Sequence, residues 1–365
     1  MNSQSIQPED QADLKSIEIA SIWAAGLAAM TRSAHWLVFA ASVALVRAEA
    51  PRLAWTVPSP VAAGESMQDI RSQWIDDDVC IVLRRGGVLG RYHPKEMKVA
   101  WERTFEGSLE GECANRESVW MVQDIPGKDR GMIRISTSDG TITEKLRSLE
   151  SRFGVKNSLP SGLEWLPGAK LLAIETLSDR RSDLYLVDPA KTRASVMVPL
   201  KGYFWNSQAL DQAVTYVHHG VIYRIDAKKG EHHKVWDSGL GEGGDDFPAM
   251  RDFAVTADGG FIAIIDKGGW TRGFTVHQRK GREGEIQSAT TDLDAGLLKI
   301  DLPRRRILHV GKDKPAMQWL DFEAKLMGEP SKPLKNNFWH VSISPDGHRA
   351  ALVDSESNLL FFSLP

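Results

Sequence analysis

The sequence predicts an all-β protein, a β-propeller of six blades with seven as the alternative, its ring closed by pairing of an N-terminal strand with the last blade. Three observations carry this prediction. First, few segments after Pro51 sustain the apolar period of a helix, whereas short runs of apolar and β-branched residues bounded by Gly, Pro, Asp and Asn recur to the C-terminus. Second, an apolar stretch running into a turn recurs six times. Third, a Gly-containing tight turn between two strands precedes it in several copies.

The N-terminus reads as a targeting segment. From Met30, "MTRSAHWLVFAASVALVRAEA" has Arg32 as a short basic region, an apolar stretch from Trp36 to Val46, and Ala48-Glu49-Ala50 as an A-x-A cleavage site ahead of Pro51. We read residues 30–50 as a signal peptide and place the mature protein in the periplasm or outside the cell. The apolar run is shorter than the ~20 residues that cross a bilayer, so the mature chain has no stable membrane span. Residues 1–29, with Glu9, Asp10, Asp13 and Glu18, are too acidic and too long for a basic leader. They read as an extension ahead of a true start at Met30. The competing reading is a membrane anchor built from Ile17 to Val46, interrupted by Thr31, Arg32 and His35. Residues 51–365 form a single propeller domain.

Composition narrows the partners. With 45 basic and 48 acidic residues the formal net charge is −3. Cleavage after Ala50 removes 3 basic and 5 acidic residues and leaves the domain almost neutral. Neither nucleic acid nor an anionic membrane attracts such a surface without a local basic excess. The basic run Arg304–Arg306 reads as a solvated hairpin. Cys80 and Cys113 allow a disulfide in an exported protein. The local pattern "DVCIVL" instead packs Cys80 as a small hydrophobe within a strand.

The first repeated element is "VLGRYHP" (88–94), "GMIRISTSDG" (131–140), "DLYLVDPAKT" (183–192), "VIYRIDAKKG" (221–230), "LLKIDLPRRR" (297–306) and "LLFFSLP" (359–365). Its turn-opening residues are His93, Ser136, Asp188, Asp226, Asp301 and Ser363. The second is "WLPGAKLLAIET" (165–176), "VTADGGFIAIID" (255–266) and "ISPDGHRAALVD" (343–354). Strand, tight turn, strand, loop and strand make a meander. A lone four-stranded meander leaves both faces wet, so successive copies stack around an axis. The last blade, from Phe338, supplies three strands, while "RLAWTV" (52–57) is a strand with no blade of its own. We expect the two to pair. The long gap after Asp226 leaves room for a seventh blade through "RGFTVHQRKG" (272–281), or for a hairpin excursion from Gly281 to Ala295. "MQWLDFEAKLMGE" (317–329), with Trp319, Phe322 and Leu326 spaced for one apolar face, reads as a helix decorating the ring.

The "SPDG" turn at 344–347, its partial copy at Asp258-Gly259 and the "DLYLVDP" run at 183–189 resemble the TolB/PD40-type (WD40-like) β-propeller repeats. That resemblance implies the fold, across about half of the mature chain, and not one function. "FWHVSISPDG" is also weakly similar to the oligogalacturonate-lyase group of propellers, which place a His shortly before such a turn and hold a divalent metal with a His and Gln cluster. Only His340 carries over, with Asp354 a neighbour after the following strand.

The chain lacks nucleotide-binding and acyl-transfer motifs. "GLGEGGDD" (239–246) reads as an inter-blade loop, with a cation site on Glu242, Asp245 and Asp246 as the sharper reading. Asp292 and Asp294 read as a turn. His218-His219 and His232-His233 flank one hairpin, and neighbours in a strand point to opposite faces, so each pair supplies at most one ligand to a shared site. His340, beside Trp339, lies where side chains reach the central channel and is the candidate catalytic residue. Trp339, Trp205, Trp270 and Asp354 are candidate binding residues at its mouth. The functional expectation is a scaffold for a protein or carbohydrate-type ligand. The alternative is a polysaccharide lyase or hydrolase acting around His340, and only that alternative asks for a divalent metal.

Overall fold

The computed structural model describes residues 50–59, 70–125, 130–147, 149–154, 159–178, 181–191, 194–200, 207–240, 249–268, 272–312 and 315–365. The stretch read as a signal peptide, residues 30–50, lies outside them but for Ala50, as do residues 1–29, Trp205, Trp270 and the acidic loop with Glu242, Asp245 and Asp246. Among the described residues no helix is long and apolar enough to cross a membrane.

The described strands form seven four-stranded antiparallel sheets arranged as the blades of a propeller. Blade one runs from the channel outward through β2 (Arg71–Asp76), β3 (Val79–Arg84), β4 (Val88–His93) and β5 (Lys98–Thr104). Blade two holds β6 (Ser108–Ala114), β7 (Ser118–Asp124), β8 (Gly131–Ser136) and β9 (Ile142–Leu146), and blade three holds β10 (Leu159–Leu166), β11 (Leu171–Ser178), β12 (Arg181–Val187) and β13 (Ala194–Pro199). Blade four holds β14 (Gln208–Leu210), β15 (Ala213–His218), β16 (Val221–Asp226) and β17 (His232–Asp237). Blade five holds β18 (Met250–Val255), β19 (Phe261–Asp266), β20 (Phe274–Arg279) and β21 (Ile286–Thr291). Blade six holds β22 (Leu297–Asp301), β23 (Arg306–Val310), β24 (Met317–Asp321) and β25 (Leu326–Met327). Blade seven takes three strands from the C-terminus, β26 (Phe338–Ile343), β27 (Arg349–Asp354) and β28 (Leu359–Ser363), and its outer strand from the N-terminus, β1 (Arg52–Val57).

The expected closure is therefore present. Arg52 pairs with Ser363 and Val57 with Leu359, antiparallel, with one irregularity between Leu53 and Trp55. Trp55 stacks on Phe361 with ring centroids 5.3 Å apart. Where β1 ends, Pro58 O accepts a 2.8 Å bond from the fully buried Arg84 of blade one. The strand is thus tied to the last blade by its ladder and to the first by a guanidinium.

The blade count is seven, not six, and three local misreadings explain the difference. Strand β20, within the Arg272–Gly281 stretch, is the third strand of blade five. Residues after Gly281 are no excursion but a turn and the fourth strand, β21. The element from Leu297 begins the innermost strand of blade six, so Asp301 does not correspond to Asp188 and Asp226. The true counterpart is Asp321, whose Oδ1 accepts from Glu323 N at 2.8 Å and Lys325 N at 2.9 Å, as Asp226 Oδ1 accepts from Lys228 N and Lys229 N. Finally, Met317–Glu329 is not a helix but the outer hairpin of blade six. Met317 and Trp319 are buried on one face of β24, and the chain reverses through Ala324 at φ 58°, a left-handed value no helix interior tolerates.

The core explains why the second strand of a blade reads as an unbroken apolar run. Strands β3 and β19 are buried at every position because both faces meet neighbouring blades. Seven apolar clusters result, one at each blade boundary. The cluster joining blade seven to blade one contains Val57, Phe361, Ala351, Trp74, Cys80 and Tyr92. Each fully buried side chain of this size contributes on the order of 1.5–3 kcal/mol. Cys80 is a fully buried free thiol in that cluster, so its role is packing and not a disulfide.

The repeated tight turns also follow from local chemistry. Ser344 Oγ meets Asp346 Oδ1 at 2.5 Å, Gly347 N donates to Ser344 O at 2.7 Å, and Gly347 sits at φ 62°. Thr256, Asp258 and Gly259 repeat this in blade five, with Gly259 at φ 84°. The basic run does form the turn of the β22–β23 hairpin, with Arg305 exposed, but Arg306 is not solvated. Arg306 is buried, pairs with Asp301 at 2.8 Å, donates to Gly347 O and Pro365 O, and lies 3.7 Å from the Trp319 ring centroid. Phe361→Ala opens the closing cluster on both sides and is expected to cost about 3–5 kcal/mol, read from the shift in the urea unfolding midpoint. An unchanged midpoint would show that the latch does not limit stability.

Candidate functional site in the channel and at its mouth

The innermost strand of each blade has a partner on one side only, so its other edge presents unpaired N–H and C=O groups towards the channel. At four of the seven blade boundaries the structure meets part of this demand with one recurring device. A polar side chain on an innermost strand accepts a backbone N–H from the innermost strand of the next blade. Gln73 Oε1 of blade one accepts from Ala114 N of blade two at 2.7 Å. Gln208 Oε1 of blade four accepts from Val255 N of blade five at 3.4 Å, and Asp252 Oδ2 of blade five accepts from Ile300 N of blade six at 2.8 Å. His340 Nε2 of blade seven accepts from Ser72 N of blade one at 3.1 Å, which completes the device across the closing boundary. Ser72 and Trp74 reinforce it through Ser342 Oγ at 2.5 and 3.0 Å.

His340 lies on β26, the innermost strand of blade seven, and its hydrogen bond fixes its protonation state. An Nε2 that accepts a hydrogen bond carries no proton, so the imidazole is neutral with its hydrogen on Nδ1. Burial, and then the positive charges of Lys299 and Arg71, bring its pKa down from 6.5 to about 4. Lys299 pairs with Asp252 at 3.1 Å. On blade three, Glu164 accepts from Ser207 Oγ at 2.6 Å. Burial raises the Glu164 pKa, opposed by the Ser207 hydroxyl and by the charges of Arg71 and Lys299. Side chains from blades one, three, five, six and seven thus share one electrostatic environment. Among the described residues no group of three or more His, Cys, Asp or Glu is arranged to hold a metal ion.

Trp339 is placed by a β-bulge. Pairing steps from Phe338 with Asp354 to His340 with Val353, leaving Trp339 unopposed. Such an extra residue turns its side chain out of the regular alternation. Trp339 is 48% exposed, and the Arg85 guanidinium lies 5.8 Å from its ring centroid. Arg85 belongs to the short connection between β3 and β4. Both residues sit on the mouth face, where innermost strands begin and second strands pass to third strands. Blades three and five carry the same irregularity early in their innermost strands. There the unopposed residues are engaged: Ser161 Oγ donates to Glu175 at 2.7 Å and Arg251 pairs with Asp266.

Asp354 lies opposite Phe338 across the β26–β27 ladder. Its carboxylate accepts from Glu356 N, Asn358 N, Asn358 Nδ2 and Asn336 Nδ2 at 2.8–3.0 Å, which organises two loops of the mouth face. Asp266, at the same place in "FIAIID", does this for blade five by accepting from Ala249 N and Gly268 N. The shared final Asp of the two repeats was a signal for this role. The histidine pairs are not one site. His218 and His219 lie at the β15–β16 turn on the mouth face, their ring centroids 3.8 Å apart. His232 and His233 lie at the other end of the blade, with Tyr216 and Glu231 respectively. Sequence reasoning did not single out His309. It is buried between Gln318 Nε2 and Asp294 O, both at 2.8 Å, and burial lowers its pKa. Asp294 thereby anchors a loop, and Asp292 pairs with Lys267 at 3.0 Å.

The His340 geometry predicts a pH dependence. The folded pKa lies below the unfolded value, so the unfolded chain binds more protons between them. Stability from this group is complete above pH ~6.5 and is lost as the pH falls towards about 4. His340→Gln keeps an acceptor that does not titrate. Its urea midpoint is expected to fall less steeply than wild type across that window, and parallel curves would contradict the assignment.

No protein-family model matches the chain, and no curated protein matches it either. Solved structures do. The WD40 β-propeller domain of Doa1 superposes with a TM-score of 0.53 at 15% identity, covering 86% of this chain and 96% of that one. The Cps50 (Swd1) β-propeller domain of Myceliophteria thermophila gives 0.56 at 11% identity, covering 86% of this chain and all of that one. At such identities the likeness is one of fold: the chain has the architecture of WD40 β-propeller domains.

Proposed function

We propose that the chain is an exported propeller that serves as a protein-binding scaffold, with the channel mouth around Trp339 and Arg85 as the contact. The observation that carries this reading is Trp339, 48% exposed on a bulge and faced by a guanidinium. Trp and Arg dominate the energetically important positions of protein interfaces, because each combines a large contact area with directed polar groups. The channel wall supports the same reading. His340, Gln73, Gln208 and Asp252 already accept backbone hydrogen bonds that hold blades together. A lyase would need His340 free for metal or proton transfer, whereas Nε2 is engaged with Ser72 N. The "SPDG" and "DLYLVDP" segments favour the TolB/PD40 type among propeller repeats. Export is favoured by the A-x-A site at Ala48–Ala50, since a cut there leaves β1, which starts at Arg52, intact.

Two measurements test this. The exported protein is expected to begin at Pro51 on N-terminal sequencing, and a retained leader would overturn the export reading. In affinity capture from the extracytoplasmic fraction of the native cell, quantified by mass spectrometry, Trp339→Ala and Arg85→Gln are each expected to lower recovery of the same partner by about tenfold or more with unchanged thermal melting. A captured set indifferent to both substitutions would place the contact elsewhere.

A further inference from the structure

Away from the mouth, the opposite face carries a cleft of about 420 Å³ between blades four and five. Its floor and walls come from the ends of β16 and β20, the start of β17, and the turn between β18 and β19. Five basic side chains line it: Arg224, His233, Lys234, Arg279 and Arg282. Three carboxylates do so as well, and their partners decide the character of the site. Asp226 Oδ1 is engaged with Lys228 N and Lys229 N, and Asp258 Oδ1 with Thr256 Oγ1 and Gly260 N. Glu231 lies 3.4 Å from His233 and 3.7 Å from Lys229.

The arginines are differently placed. Arg279 donates from Nε to Gly281 O and from one terminal nitrogen to Val235 O and Gly259 O, and its guanidinium lies 5.0 Å from the Phe261 ring centroid. Arg224 donates to Thr256 O and Ala257 O at 3.3–3.4 Å. All these acceptors are neutral backbone groups. They fix the Arg279 guanidinium plane and restrain Arg224 from one nitrogen; among the described residues no carboxylate lies within ion-pair distance of either, though Asp226, held low first by the Lys229 N–H, also feels the charge of Arg224. Arg282 is exposed and has neither hydrogen bond nor ion pair among the described residues. Gly259 permits its approach, for a Cβ there would stand 3.3 Å from Arg282 Cβ. One rigid cation, one restrained and one free around a small concavity form a partly preorganised receptor for carboxylates, since the ordering cost at the Arg279 side chain is already met in the free protein.

We propose that this cleft is a second binding site, for an acidic peptide segment of a partner protein. The mixed lining selects a peptide over a bare anion: side-chain carboxylates meet Arg224, Arg279 and Arg282, and backbone N–H groups have Glu231 and Asp258 as acceptors. A small inorganic anion would gain from the arginines alone, whereas a peptide adds backbone hydrogen bonds to Glu231 and Asp258 that offset their repulsion of its own carboxylates. The site is independent of the mouth reading, because it lies on the other face and shares no residue with Trp339 and Arg85.

The test uses the full mature chain and a fluorescein-labelled octapeptide of alternating aspartate and glycine, followed by fluorescence anisotropy, with the asparagine analogue as control. Saturable binding of the aspartate peptide alone is expected. Arg282→Glu, at an exposed position, is expected to weaken it about tenfold or more without altering thermal melting. Affinity should also fall as salt rises from about 50 to 300 mM. Trp339→Ala should leave it unchanged, so failure at this cleft and failure at the mouth are read separately. The proposal is overturned by absence of saturation up to about 1 mM peptide, by affinity that survives Arg282→Glu, or by a dependence on Trp339. Displacement of the peptide by equimolar inorganic phosphate would also overturn it, by showing a small-anion site.

Discussion

The pairing of β1 with β28 is the interaction on which the rest of the architecture depends. A four-stranded blade in this chain is apolar on both faces, so each is stable only with a neighbour on either side. Six boundaries can form between blades made of consecutive sequence. The seventh requires that the first blade meet the last, and that boundary is built around Val57, Trp74, Tyr92 and Phe361. Without the N-terminal strand, β28 would be an exposed edge beside an apolar surface. Arg84 adds a second constraint there, joining the end of β1 to Glu102 and Tyr92 of blade one.

Closing a ring creates a second problem at its centre, and its solution shapes where chemistry can occur. Inner edges must have their backbone groups satisfied, and His340, Gln73, Gln208 and Asp252 do so with three residue types in one geometric role. Such side chains are held by what they accept. The channel wall is consequently a structural lattice of low freedom, whereas the rims retain side chains free to meet a partner. Trp339 on its bulge and Arg282 beside Gly259 are examples from the two faces.

Much of the fold was legible because it is written in local patterns. The closing strand was visible as "RLAWTV" without a blade, and the tight turns were visible as Asp-Gly pairs that require a positive φ. The blade count was not, because "FTVHQR" lacks a strongly apolar pattern and "MQWLDFEAK" satisfies helical spacing as well as strand alternation. Tertiary packing of Met317 and Trp319 decides for the strand. At the candidate site, only the strand position of His340 was legible, from its place before the "SPDG" turn. Its function as a latch was not, since its counterparts are Gln and Asp and its donor, Ser72, belongs to the other end of the chain. The cleft between blades four and five was equally hidden, because Arg224, Arg279 and Arg282 converge only after two separate blades stack.

The origin of the closing strand has a consequence for how the molecule comes into being. β1 is the first strand of the propeller to be synthesised and β28 the last, so the earliest-made ladder element waits longest for its mate. Until then the nascent molecule is an open arc with two sticky ends, and the entropy of joining segments so distant in sequence falls on a single late event. Assembly is therefore intrinsically slow at its final step, and the arc is vulnerable to self-association for as long as that step is pending.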